Sequence, residues 1–335
     1  MWHEDAGMTD AALLHRRPGG LARFVQAYGQ ELVVLGGIAV LMVVVGLYNP
    51  RFLSDTNLTS IFAGNAYIAV AAIGMTLIIL TGNIDVSVGS LIGVLATIAG
   101  TLAVQGYPIW VAWTVPLIAG VAINAVLGFI VAYVGIPSIV ATLGMLSILK
   151  GGLISVTGGK WIEGMPPDFF LAQMRLFGIP SAVFFMVILT VLMAVWMRQA
   201  PLGRSFYAVG GNPEAARASG IDPRRTVLLA FMLHGFFAGI AAILFATQLK
   251  VIQSTVPPNL ELTVITACVI GGVSILGGTG TVIGSSLAAI LFACIGSALV
   301  FLNVSAYWLR AVLGMLILLT VLADMVRRHR NRRAA

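Results

Sequence analysis

Residues 198–226 read RQAPLGRSFYAVGGNPEAARASGIDPRRT. The stretch holds five arginines, two acids and three prolines. On either side, for about twenty residues, the chain is apolar enough to sit in lipid. A polar segment between two such runs stands in water while the runs cross a membrane. Within it, PEAARASGI has the marks of a short helix. Asn212 can cap its start and Pro213 suits the first turn. Glu214 lies near the positive helix end, and Gly220 can close the far end in the left-handed conformation. Two turns of helix are too short to persist alone in water, so this one must pack on something. A small alanine face of Ala215, Ala216 and Ala218 would fit a groove in a partner or in the chain's own spans.

The rest of the chain agrees. Of 335 residues, 59% are hydrophobic and 9% charged, where a soluble domain carries about 25% charged residues. The mean hydropathy is +1.01. The apolar runs are continuous and near the length of a membrane-crossing helix, not the alternating ten-residue segments of a barrel. The expected fold class is all-α, a polytopic helical membrane protein of about ten transmembrane helices with broken or re-entrant segments. The expected spans are 32–48, 58–80, 84–104, 109–134, 139–156, 181–197, 227–249, 261–276, 282–302 and 306–326. The first is expected to be uncleaved, because Tyr48-Asn-Pro-Arg51 follows it in place of a small-residue cleavage site.

The net charge of +7 resides beside span ends, so orientation explains it and nucleic acid need not be invoked. With ten spans, the tail 1–31, the loop 198–226 and the basic tail 327–335 fall on one, cytoplasmic side. Arg51, Lys160, Arg175 and Lys250 scatter over the other. Cys268 and Cys294 lie in apolar runs and form no disulfide or metal pattern.

Two expected spans follow glycine-rich breaks. Gly82–Gly100 (GNIDVSVGSLIGVLATIAG) aligns without gaps on Gly277–Ile295 (GGTGTVIGSSLAAILFACI), matching Gly82 to Gly277, Gly89 to Gly284 and Ser90 to Ser285. The match is either an internal repeat of the transporter kind or the common look of small-residue helices. The glycine-rich stretch 271–285 has no lysine, so it is no phosphate loop.

Asp85, at the first break, is the sharpest single residue. A carboxylate at the bilayer centre costs about 2.5–3.5 kcal/mol on insertion scales. It can line a permeation path, cap the following helix, or do both. Asn65, Asn83, Ser87, Asn124, Asn303 and Glu261 are the other polar groups in or near spans. Each can tie helices together, and as a set they suit an uncharged polar cargo. His234 reads as a packed neutral histidine with no carboxylate near it in sequence.

GRSFYAVG and VGGNPEAARASGI (203–221) resemble the coupling helix of sugar-type ABC transporter permeases, the family of ribose, xylose and galactoside importers. TGNIDVSVGS (81–90) is similar to that family's TGGIDLSVGS signature, and ELTVITACVIGGVSILGGTGTVIGS (261–285) to its glycine-rich segment. The likeness spans about Phe52 to Asp324. Asn83 and Thr263 depart from the usual Gly and Asp. VATLGMLSILKGG (140–152) and TGGKWIEGMP (157–166) resemble the branch holding the autoinducer-2 and rhamnose permeases.

The resemblance implies a permease domain over 32–326 in the bacterial inner membrane, with both termini cytoplasmic. It implies ABC ATPase subunits that bind the ATP, a periplasmic sugar-binding protein, and a second permease copy or sister permease. Gly211, Asn212, Glu214, Ala215, Arg217 and Gly220 would lie on the coupling helix. Asp85, Ser87 and Gly89 would lie near the cavity, with Asn65, Asn83, Asn124 and Glu261 as further path candidates. The cargo would be rhamnose, autoinducer-2 or a pentose, and no cofactor would be held by this chain. A secondary transporter would need an ion site at Asp85 or Glu261. An enzyme would need a constellation that is not visible here.

Overall fold

The computed structural model describes residues 20–254, 257, 259–305 and scattered positions between 307 and 322. Among the described residues up to 305, twelve α-helices follow one another: α1 (Gly20–Tyr48), α2 (Asp55–Phe62), α3 (Ala66–Leu80), α4 (Val88–Val104), α5 (Ile109–Phe129), α6 (Ser138–Thr157), α7 (Ser181–Gln199), α8 (Pro201–Gly211), α9 (Pro213–Ala218), α10 (Pro223–Ala246), α11 (Leu260–Ile270) and α12 (Val282–Phe301). The only strands among the described residues are β1 (Arg175–Leu176) and β2 (Ile179–Pro180), a hairpin pairing Arg175 with Pro180 and Leu176 with Ile179.

Among the described residues, seven segments are long and apolar enough to cross a membrane: Tyr28–Tyr48, Asp55–Leu80, Ile109–Val134, Ser138–Thr157, Ser181–Gln199, Pro223–Ala246 and Val282–Phe301. Each coincides with an expected span. The expected spans 84–104 and 261–276 fall on shorter helices, α4 and α11. Each of these two segments joins an extended or looped stretch to a helix too short to span, as the glycine breaks lead one to expect. The span 306–326 is described only at scattered positions, and the tail 327–335 and residues 1–19 lie outside the described residues. α1 starts at Gly20, so the helix begins well before the apolar run at Leu32 and carries a kink at Tyr28.

The heart of the bundle is α3. Of its residues only Tyr67 is not buried, and a helix buried all round must be apolar all round, as AYIAVAAIGMTLIIL is. α10 packs on it and on α5. The α5–α10 seam is glycine-built. A side chain at Gly235 would overlap the backbone of Gly120, and one at Gly239 would lie 2.9 Å from Leu117 Cα. Gly235 and Gly239 are four residues apart, on one helix face, which lets two backbones approach closely. α1 and α6 present mostly exposed apolar side chains, such as Val33, Val43, Val140 and Ile148, as lipid-facing helices do.

Close backbone approach makes the seam intolerant of added volume. Gly235→Ala should destabilise the purified protein by about 1–3 kcal/mol, read as a lowered unfolding midpoint in detergent. Gly144→Ala on α6, where a new Cβ meets nothing within 4 Å, should leave the midpoint unchanged or slightly raised. Equal effects at the two positions would contradict the packing described.

Candidate functional site

The segment between α7 and α10 folds as a helix pair. Pro201 opens α8, which buries Gly203, Ser205, Phe206 and Val209. Asn212 ends α8 and caps α9, its side chain accepting from Glu214 N at 3.0 Å and Ala215 N at 3.1 Å. Gly220 takes φ +81°, and Ile221 N donates to Ala216 O at 3.0 Å, closing the helix end. Asp222 then caps α10 by accepting from Arg224 N and Arg225 N. The expected cap, first-turn proline and left-handed glycine are therefore all present. Sequence reading missed α8, whose GRSFYAVG face is what seats α9.

α9 is presented outward. Gly211, Asn212, Glu214, Ala215, Arg217 and Gly220 are exposed, while Ala216 is buried against the molecule. Glu214 and Arg217 pair at 3.7 Å with side chains 80% and 61% exposed, a contact that contributes little to stability.

Behind α9 the two glycine breaks converge. Gly278 N donates to Leu80 O at 3.0 Å, joining the end of α3 to the loop between α11 and α12. A Cβ on Gly210 would overlap Leu80 O and lie 2.6 Å from Gly278 N. A Cβ on Gly277 would lie 2.8 Å from Gly82 N, and one on Gly278 2.8 Å from Gly211 Cα. Gly82 and Gly277 both have left-handed φ, +79° and +84°. The aligned glycines of the two similar segments thus occupy like conformations and touch. Gly89 and Gly284, also aligned, pack on opposite ends of α11: Gly89 at Leu260 and Glu261, Gly284 at Gly271.

Side chains from elsewhere fasten this junction. Tyr207 on α8 donates its hydroxyl to Gly280 O at 3.1 Å. Burial holds its phenol above the ordinary range, Arg198 opposing and Glu31 adding to the effect, so the proton stays available for that bond. Gln30 Nε2 donates to Ile270 O at 2.8 Å, and Thr281 Oγ1 donates to Glu31 Oε1 at 2.6 Å. Arg198 donates to Tyr28 Oη at 2.8 Å and lies 5.2 Å from its ring centroid. Sequence reading found none of these. Gln30 and Glu31 sit in what reads as a polar tail, and no local pattern tells that Glu31 is buried or that the exposed Gln30 reaches the end of α11.

The remaining polar candidates fall into two groups. Asp85 and Ser87 sit at the start of α4, and Glu261, at the start of α11, lies against Gly89 of α4, where a side chain would overlap Glu261 Oε2. Asp85 Oδ1 accepts from Ser87 N at 2.7 Å and from Ser87 Oγ at 2.6 Å. It therefore does fasten the start of α4, from a position just ahead of the cap. Asn83 lies on the same leader and donates to Thr81. Ser138 Oγ accepts from Ile84 N at 3.2 Å and Thr142 Oγ1 from Val86 N at 3.1 Å, so α6 hydroxyls hold the extended backbone. The others stand apart. Asn65 donates to Ser60 O and Ile61 O and closes the α2–α3 joint. Asn124 is wholly buried on α5, beside Gly235. Asn303 adopts φ +57° after α12. The unexpected placement is His234: its Nε2 lies 3.3 Å from Asp85 Oδ2, with both side chains fully buried. The two residues are far apart in the chain, so only the fold brings the carboxylate to the histidine.

Gly210 and Gly211 make contrasting tests of the junction. Gly210→Ala should cost about 3 kcal/mol or more, because backbone surrounds the new methyl on two sides. Gly211→Ala, facing open space, should stay within about 0.5 kcal/mol. Unfolding midpoints and folded yield in detergent check both.

The sequence of residues 57–321 matches the family described as branched-chain amino acid transport system / permease component. The autoinducer 2 import system permease protein LsrC of Salmonella typhi is 38% identical over 91% of this chain and 88% of its own length. The protein of that name from Escherichia coli O9:H4 (strain HS) is 37% identical over 91% and 89%, and that from Salmonella paratyphi B is 39% identical over 90% and 87%. No solved structure matches the chain. With family and relatives each covering most of its length, the chain belongs to the permease components of the branched-chain amino acid transport system family.

Proposed function

We propose that the chain is the translocation subunit of an ATP-driven importer, and that α9 is the helix by which separate ATPase subunits drive it. The observation that carries this reading is the seat of α9. Its outward residues are open to a partner, while the Gly210–Gly211 step that leads into it is wedged against both glycine breaks at once. A push on α9 is delivered to the end of α3 and to the loop between α11 and α12 through backbone contact, with no flexible side chain between. ATP is bound by the partner, a periplasmic protein delivers the cargo, and a second permease copy completes the path. In this reading the α9 end faces the cytoplasm of a bacterial cell and the 175–180 hairpin faces outward.

The names of the relatives support a small polyol cargo, autoinducer 2 before rhamnose and the pentoses. Asn83 and Glu261, the half-buried polar groups near the starts of α4 and α11, offer donors and acceptors but no fixed cation, which suits an uncharged molecule better than an anion. Alternating access follows if ATP binding favours one seat of α9 over the other.

The test is uptake of labelled autoinducer 2 by cells whose only copy of the gene carries Glu214→Arg or Gly211→Trp. Glu214 is exposed, so reversing its charge costs the fold about 1 kcal/mol or less. Tryptophan at Gly211 meets no atom of this chain at its Cβ. Both proteins should reach the membrane at normal levels, lose about tenfold or more of uptake, and fail to retain the ATPase on purification. Undiminished uptake by both variants would overturn the reading. Uptake of autoinducer 2 unchanged on deleting the gene would move the cargo to rhamnose or a pentose.

A further inference from the structure

Fastening the start of α4 accounts for one oxygen of Asp85 and leaves its other oxygen, and the ring of His234 beside it, unexplained. Both residues are fully buried. Asp85 Oδ1 is committed to Ser87, but Oδ2 has no aligned hydrogen-bond partner, and neither ring nitrogen of His234 has one. The two groups stand at ion-pair distance, 3.3 Å, without hydrogen-bond alignment. A buried carboxylate and imidazole left unaligned are costly, and a small rotation that aligned them would recover much of that cost. The contact is therefore a joint with slack that one arrangement of the helices can take up.

Its two sides belong to different mechanical elements. His234 lies on α10, which starts immediately after the close of α9. Eleven residues of helix separate Pro223 from His234, about 17 Å of rigid rod at the rise of an α-helix. Asp85 belongs to the leader of α4, and its other oxygen holds the first turn of that helix. α3 leaves room for the ring at Gly74, where a Cβ would lie 2.8 Å from His234 Nδ1. Asp85 has no exposed surface, so it does not touch cargo in this arrangement. Glu261, half-buried across from Gly89, is the acid that could.

Resting on the importer reading above, we propose that Asp85 and His234 are a positioning pair. Displacement of α9 moves α10, the imidazole carries the carboxylate with it, and the leader and first turn of α4 follow. The pair thereby sets how much cargo crosses for each ATP consumed. Neither residue reacts, and neither binds cargo.

The experiment uses the complete transporter, this chain with its ATPase subunits and delivery protein, in liposomes, with autoinducer 2 uptake and ATP hydrolysis measured together. His234→Leu keeps bulk but removes the donor. His234→Gln keeps a nitrogen donor near the position of Nε2. Asp85→Asn keeps an acceptor for Ser87 and removes the charge. His234→Leu and Asp85→Asn should each lower the cargo-to-ATP ratio about tenfold, and His234→Gln should retain it within about threefold. The double variant Asp85→Asn/His234→Leu should be no worse than the poorer single one, since residues that act through one contact are not additive. A purely structural role would lower the amount of assembled transporter and leave the ratio unchanged. An unchanged ratio in His234→Leu, equal losses with Leu and Gln, or losses that multiply in the double variant would each overturn the proposal and leave the importer reading standing. Absence of ATP-driven uptake of autoinducer 2, rhamnose and pentoses alike by the unaltered transporter would remove both.

Discussion

The bond from Gly278 N to the carbonyl of Leu80 ties the two glycine breaks of this molecule to each other. In lipid, any backbone group that leaves a helix must find a partner within the protein, because water is not there to supply one. Each glycine break exposes such groups, and the breaks meet that need by touching each other and by recruiting side chains from α1, α6 and α8. The glycines are required where they stand because the backbones approach to within contact. The end of α8 is pressed into the same place, so the polar segment that leads to α9 cannot shift without disturbing both breaks.

The function proposed above draws on that crowding. A permease has to convert a movement at one end of its bundle into a change along its path. Here the conversion needs no long chain of side chains near the surface, since Gly210, Leu80 and Gly278 are in direct contact. Deeper in, where α4 and α11 begin, backbone contact gives way to polar side chains. There the imidazole of His234 on α10 stands 3.3 Å from the carboxylate of Asp85 on the α4 leader.

Much of this was legible in the residues. Continuous apolar runs marked the spans, and the short glycine-rich breaks between 80 and 84 and between 276 and 282 marked where the helices are interrupted, though the interruptions are longer than the sequence suggests. Asn212, Pro213 and Gly220 announced α9 with its correct limits, because caps and left-handed glycines are local chemistry. What escaped was everything fixed by tertiary contact. Nothing near His234 signals Asp85, and nothing near Gln30 or Glu31 signals the end of α11 or Thr281. Asn65 and Asn124 resembled Asn83 in being amides within spans, yet one closes a joint and the other is buried on α5. Amide chemistry alone does not separate those uses; the partner does, and the partner comes from the fold.

The two breaks are alike in sequence and in glycine conformation, but they are tied down differently. Hydroxyls of Ser138 and Thr142 hold the first through its own main chain. The second is gripped by Gln30 and Glu31 near the kink of α1, at the terminal carbonyl of α11 and the cap of α12. If the segments descend from one ancestral unit, their fastenings have since diverged. The pseudosymmetry is then one of ancestry and not of motion: a hinge secured by neutral hydroxyls and a clamp secured by a carboxylate need not yield to the same force.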